Sequence, residues 1–410
     1  MRLNINYLFL TLYLVIGFIP NFGSIDRIAT HWLYLNIISF FSIFFFLFKN
    51  PDNDIIKSVI SNKPLLIFIV FGIWAGLSTL YSINVVESII SSIRLFSLIL
   101  ATILIGLHLS NLNSLKYFFL IIIFPIIVFE ILIPTIELIR IISVEKFTFK
   151  LANYLETFTP NKNITAAIIT AHMGFLFVLK FYLKKLENLF PFLIFLGTVI
   201  IIFISARASI IGLILSLALI YIITFLKKKE NIYFLNKVCL SVIFGFFISN
   251  LYLGSDNTAS LQSRLTSLNT QDESTNQRVR FYKHGISHLM ENPIFGIGIG
   301  NWKQKSIEYD SENIKNYVVP YHLHNDFLQY GTETGIIGMF LYLLLFLTLL
   351  IENIKRIDSN YFLSTSLIIS LSVLFIDSNL NFPHHRPIMM ILLAVIISLT
   401  ELNRTKQFEK

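Results

Sequence analysis

The stretch VPYHLHNDFLQYGTETG at 319–335 carries His322 and His324 two residues apart, followed at once by Asn325 and Asp326. Imidazoles do two kinds of chemistry at neutral pH. With an ordinary pKa of about 6.5, a neutral ring can take a proton from a reacting hydroxyl. A ring pair can also ligate zinc, provided a third ligand is close. Three other stretches carry polar groups of comparable interest. SARAS, at 205–209, wedges Arg207 between two apolar runs with almost no loop. Placing an arginine near the bilayer centre costs about 2.5–3.5 kcal/mol on insertion scales, and less if it snorkels. Arg207 is therefore either an interfacial anchor or a ligand for an anion. NQRVRFYKHGISHLMENPIFGIGIGNW, at 276–302, puts Arg278 and Arg280 on a helical pattern that ends at Pro293 before a glycine-rich turn. TPNKNITAA, at 159–167, places Asn161 and Asn163 where they can cap the next helix.

Further zinc ligands would have to come from His384 and His385 in NFPHHRP, or from His284 and His288, spaced i, i+4. Arg386, beside the former pair, reads as an interfacial anchor for the last span rather than a charge at the site. Glu87 and Arg94 are seven apart and share a helix face, so they are expected to pair. The single cysteine, Cys239, lies in an apolar run, forms no intrachain disulfide and reads as a small hydrophobe.

These groups need elements to hold them, and the composition says which. Of 410 residues, 55% are hydrophobic, 14% are charged and 40 are Phe. A soluble domain would carry about 25% charge. Apolar runs long enough to cross a bilayer core, roughly 17–25 residues, recur throughout. They predict an all-α polytopic membrane protein with about twelve spans, at 6–22, 32–48, 65–81, 93–109, 117–138, 164–183, 189–204, 207–226, 236–252, 332–351, 361–378 and 387–402. The first run is read as a span and not a signal peptide, because no small-residue cleavage pattern follows it.

The formal net charge of +8 does not point to nucleic acid, because the cations form no aromatic-interleaved patch. They gather instead in alternate short loops, as at Lys180, Lys184 and Lys185, and again at Lys227, Lys228 and Lys229. Loops of that kind stay in the cytoplasm. Both termini are then expected inside and one large polar loop outside, in the periplasm of a bacterium with an outer membrane. The expected organisation is 1–253 as spans one to nine, 254–331 as the outer loop, and 332–410 as the last three spans and a cytoplasmic tail. The only D-x-D, Asp52–Asp54, falls on the inner side and reads as a solvated loop. Within the outer loop, Phe281, Tyr282, Ile286, Leu289 and Met290 fall at helical spacing, which predicts an amphipathic helix resting on the membrane surface. GIGIG at 296–300 suits a tight turn or a close backbone approach. It lacks the G-x-G-x-x-G spacing and the βαβ setting of a dinucleotide site.

The order SARASIIG, RVRFY with NPIFGIGIGNW, then HLHNDFLQYGTETGIIG resembles the O-antigen ligase/polymerase family of bacterial inner-membrane glycosyltransferases. The clear match runs over about 205–338, with TLYS at 79–82 and NKN at 161–163 as weaker features. The resemblance implies transfer of a glycan from undecaprenyl diphosphate to a hydroxyl, without a metal or other cofactor. The acceptor is the lipid A–core sugar in a ligase, or a second lipid-linked glycan in a polymerase; the ligase reading is preferred on the His-Asn loop. Arg207 and Arg278 match the family's two arginines and would hold the diphosphate, since a guanidinium pairs with phosphate oxygens. His324 matches its histidine and would be the general base. His322 is a second candidate or an orienting neighbour. Asn325 would orient the histidine or cap the following helix, and Glu333 would pair with Arg207 or Arg278 or favour that helix's N-terminus. Arg280, two residues from Arg278, should point to another face and meet lipid headgroups. Asn163 completes the expected substrate contacts. A transporter for the same lipid-linked glycans would instead set charges near the bilayer midplane on repeated, broken helices, and no repeat is visible. A sensor or scaffold would need no arginine–histidine cluster.

Overall fold

A computed structural model describes residues 4–20, 22–26, 28–157, 159–254, 273–313 and 320–405. The described residues form helices and turns, with no strand. Ten helices are long and apolar enough to cross a membrane, and two shorter apolar ones, Ile5–Phe18 and Leu189–Ile204, stand where the first and seventh spans are expected. The chain is an all-α, multi-pass membrane protein.

We label α1 (Ile5–Leu14), α2 (Ala29–Lys49), α3 (Asn53–Ile60), α4 (Lys63–Leu77), α5 (Val85–Ser110), α6 (Phe124–Val144), α7 (Lys162–Met173), α8 (Leu176–Tyr182), α9 (Leu189–Ile204), α10 (Arg207–Lys227), α11 (Ile232–Leu253), α12 (Glu273–Glu291), α13 (Trp302–Asp310), α14 (Asp326–Arg356), α15 (Tyr361–Leu380) and α16 (Pro387–Thr405). α16 is apolar on every side through Ile397 and almost wholly buried, packed against α5, α14 and α15. Outer helices keep one apolar side exposed, as α2 does with Phe40, Phe41, Phe44 and Phe48. That pattern suits hydrocarbon, which offers no gain from hiding such side chains.

Backbone breaks are confined to places where a neighbour repairs them. α14 starts at Asp326, six residues before the expected span, and kinks at Gly335 (φ 74°, ψ 179°). The carbonyls freed there are taken by the glycine-rich segment. Ile297 N–H donates to Thr332 O at 3.1 Å, Gly298 N–H to Glu333 O at 2.8 Å, and Ile336 N–H closes back onto Pro293 O at 2.8 Å. Without such partners, each broken bond would leave a buried polar group unsatisfied.

Gly335 has no substitute. A Cβ there would sit 1.8 Å from Ile294 O, on a backbone conformation that other residues avoid. Gly335→Ala is expected to lower stability by about 2–6 kcal/mol from strain and overpacking together, read as a depressed unfolding temperature of the purified protein in detergent. An unchanged midpoint would mean that the loop and helix separate without cost.

Candidate active site

SARAS is a reversal between two antiparallel spans. Ser205 closes α9 in the left-handed region (φ 59°), Ala206 is extended, and Arg207 opens α10. Ala206 has no oxygen to cap with, and α10 begins without a side-chain cap. At the same end of the bundle, Asn161 caps α7 by accepting from Asn163 N–H at 2.8 Å. The N-termini of α7 and α10 thus open together onto one cavity of about 250 Å³. Its lining includes Lys162, Asn163, Arg207, Ser209, Arg278 and Asn381.

Both expected arginines therefore reach the same space from different elements. Arg278 comes from α12, and Arg207 is tied to that helix by its Nη1 donating to Thr275 Oγ1 at 3.2 Å. Three cationic side chains and two helix N-termini line one hollow, an arrangement suited to an anion, because the N–H groups and positive ends of the helix dipoles add to the side-chain charge. Asn163 stands at the cavity as expected. Lys162 and Asn381 were not among the expected site residues. A first-turn residue such as Lys162 faces a ligand or a neighbour according to how its helix is tilted, which spacing does not reveal. Asn381 is held by its Nδ2 donating to Asp377 Oδ1 at 2.6 Å.

His324 is not among the residues lining this cavity, but the charges of Arg278, which does line it, and of Arg386 bear on its ring. Its backbone is in the left-handed region (φ 56°), uncommon for a residue with a side chain. Tyr282, one turn along α12 from Arg278, holds it there: the hydroxyl donates to His324 O at 2.9 Å and to Asn379 O at 3.0 Å. The ring meets Phe382 edge-on at 5.0 Å between centroids. Burial pushes its pKa down to about 4, and the positive charges of Arg278 and Arg386 push the same way. The imidazole is neutral at pH 7, as a base must be. Its Nδ1 has no hydrogen-bond partner among the described residues.

His322 stacks on the other part of the same wall, 4.2 Å from Phe382 and 4.3 Å from His385. Burial, with His385 next in weight, holds its pKa well below the ordinary value. Behind it, the fully buried Asp326 accepts from His384 N–H at 3.1 Å and makes a close contact with His384 Nδ1. This clamp ties the 381–386 turn to the start of α14, and so fixes Asn381 and Phe382 relative to His324. Asn325 serves as the helix cap, its side chain accepting from Leu328 N–H at 3.0 Å.

Several expectations are corrected. Glu333 pairs with neither arginine. It lies inside α14, where it is buried and accepts from Gly300 N–H at 2.8 Å, Trp302 N–H at 3.2 Å and Gln329 Nε2 at 3.3 Å. It thereby caps α13 and pins the glycine turn. Arg280 does point away from the cavity, but it meets protein and not headgroups. Its Nε and Nη2 grip the buried Asp310 at 2.6 and 3.1 Å and hold α13 on α12. Arg386 is no exposed anchor: it is 5% exposed, lies over Phe382 at 4.4 Å, and faces Asp377 at 3.8 Å. Glu87 and Arg94 do not pair, because each has a nearer partner on another element. Glu87 bridges to Lys303 at 2.5 Å, and Arg94 to Asp26 at 3.8 Å. α12 does not simply rest on a membrane surface. Phe281 is buried and Gly285 abuts Leu323 and Leu328, while Ile286 and Met290 are exposed. For zinc, His284 and His288 are drawn toward Asp310 and Tyr309. No group of three possible ligands has metal-holding geometry among the described residues.

Residues 192–343 match the family described as O-antigen ligase. The match spans Arg207, Arg278, His324 and Glu333, and leaves out Lys162, Asn381 and the 382–386 turn. No curated protein matches the chain.

Proposed function

Because residues 192–343 match the O-antigen ligase family, we propose that the chain transfers a glycan from undecaprenyl diphosphate to a sugar hydroxyl of lipid A–core, at the periplasmic face of a bacterial inner membrane. The observation that supports the reading is the shared cavity of Arg207 and Arg278, with a neutral His324 near enough to feel the charge of Arg278. The domain organisation proposed is a catalytic outer loop, 254–331, inserted between nine spans and three, with both termini cytoplasmic.

The reaction needs three things from the protein. The donor diphosphate must be held where its lipid tail stays in hydrocarbon, and the cavity sits at the ends of spans α7, α10 and α15. The acceptor oxygen attacks the anomeric carbon, and its proton passes to His324. As the carbon–oxygen bond to phosphate breaks, the electron pair goes to the phosphate oxygen, whose growing charge meets guanidinium groups already in place. Such preorganised charge avoids the reorganisation that water would require. Charge from arginine is well suited here, because its planar fork makes paired bonds to phosphate oxygens.

A lipopolysaccharide gel of a strain deleted for the gene tests the assignment. Bare core with long chains left on the carrier lipid is the expected result. Core bearing a single repeat would make the chain a polymerase joining lipid-linked units, and a normal ladder would exclude both.

A further inference from the structure

The 381–386 turn reaches two cavities. Asn381 lines the one shared by Arg207 and Arg278, while His384 and His385 line a second, of about 30 Å³, between α2, α5 and α14. The second also takes Trp32, Arg94, Tyr330 and Glu333 into its wall. Both charges there are engaged: Arg94 lies over the Trp32 ring at 5.5 Å and faces Asp26, and Glu333 accepts from Gly300 and Trp302 N–H. Burial holds His384 and His385 well below the ordinary histidine pKa, so both rings are neutral. His384 gives its Nδ1 to Asp326, which leaves Nε2 as the ring's remaining nitrogen. The pocket therefore suits a neutral polar group. Its volume has room for roughly two water-sized groups and not for a sugar ring.

Four partly exposed rings lead from this pocket to the base. His385 meets His322 at 4.3 Å, His322 stacks on Phe382 at 4.2 Å, and Phe382 meets His324 edge-on at 5.0 Å. Trp32 Nε1, His322 Nδ1 and His324 Nδ1 are buried with no protein partner among the described residues. Unpaired buried polar atoms are costly and rare, and three of them along one pocket and strip point to a ligand rich in hydroxyls. A sugar answers that description, with apolar C–H faces for the rings and hydroxyls that both donate and accept.

We propose that the strip and the pocket at its end are the acceptor subsite. One hydroxyl-bearing arm of the acceptor sugar enters the pocket beside Trp32 and His385, the sugar lies along the rings, and the attacking hydroxyl reaches His324. The inference rests on the glycan-transfer reading given above. It places the two substrates on two sides of one turn, the diphosphate toward α7 and α10 and the acceptor toward α2 and α5, so that both are bound at once.

The test uses the purified full-length protein and material from the deletion strain: its carrier-linked glycan as donor and its bare-core lipopolysaccharide as acceptor. Farnesyl diphosphate binding reads the donor cavity separately. Trp32→Phe, which keeps a ring and removes the N–H, and His385→Ala are each expected to raise the acceptor KM about tenfold, the scale of one lost hydrogen bond, with donor KM and farnesyl diphosphate affinity held within about twofold. A general loss of structure would move both substrates alike and so would not give this split. An unchanged acceptor KM in both variants, or equal rises for donor and acceptor, would overturn the subsite and leave the donor reading standing. If wild type moves no glycan onto bare-core lipopolysaccharide, the transfer reading fails and the subsite falls with it.

Discussion

Arg278→Ala, and separately Arg207→Ala, transfers glycan at less than about one thousandth of the wild-type rate. The two side chains reach one cavity from α12 and α10, so each is expected to bond the diphosphate from its own side. Losing either leaves part of the leaving charge facing only the remaining cations and the helix N-termini. The loss should appear mostly in kcat/KM, because the guanidinium contacts exist with the intact donor and tighten as its bond breaks. Lysine at either position restores charge without the fork, and should recover only part of the rate. Elution profile and unfolding temperature in detergent are expected to stay close to wild type for Arg278→Ala. Arg207→Ala removes the bond to Thr275 Oγ1 as well, so its unfolding temperature is read alongside its transfer rate. A folded Arg278→Ala protein with normal transfer would remove the anion site from the mechanism.

What could be read from the sequence was what depends on local spacing. Apolar runs gave the twelve helix positions, because length in hydrocarbon is a local property. SARAS placed Arg207 at a helix junction for the same reason. Residues that act across elements were not legible. Glu333 lies in a stretch that gives no sign of the glycine turn it caps, because Gly300 and Trp302 are more than thirty residues earlier. Arg386 looked like an anchor because it borders a span; its partners Asp377 and Phe382 are set by the turn before α16. Arg280 and Arg278 differ only in the face of one helix, and which face meets Asp310 is a tertiary fact. For Arg280 and Arg386 a charged residue was read against the membrane when the fold had supplied a protein partner. Buried charges need such partners, since an unpaired ion in a low-dielectric setting is strongly disfavoured.

His324→Ala is expected to reduce transfer by about 10²–10⁴-fold, the span typical of a positioned general base. Backbone strain is a competing cause, because position 324 has φ 56° and alanine is less at ease there than asparagine. His324→Asn separates the two. Asparagine accepts the left-handed backbone but cannot take the proton, so it should fold as well as wild type and remain as inactive as alanine. The acid side of the pH profile carries the same argument further. The basic form of the imidazole is the active one, so activity is present above its pKa and is lost as pH falls through it. With burial and the charges of Arg278 and Arg386 holding the ring down to about 4 in the free protein, kcat/KM should be level from neutral pH to near 5 and fall below that. The free-enzyme pKa is the one that kcat/KM reports. An acid limb centred near the ordinary histidine value of about 6.5 would mean that the ring is solvated and away from those arginines. Full activity in His324→Asn would mean that the acceptor's proton goes elsewhere, with the diphosphate's own oxygens the nearest alternative.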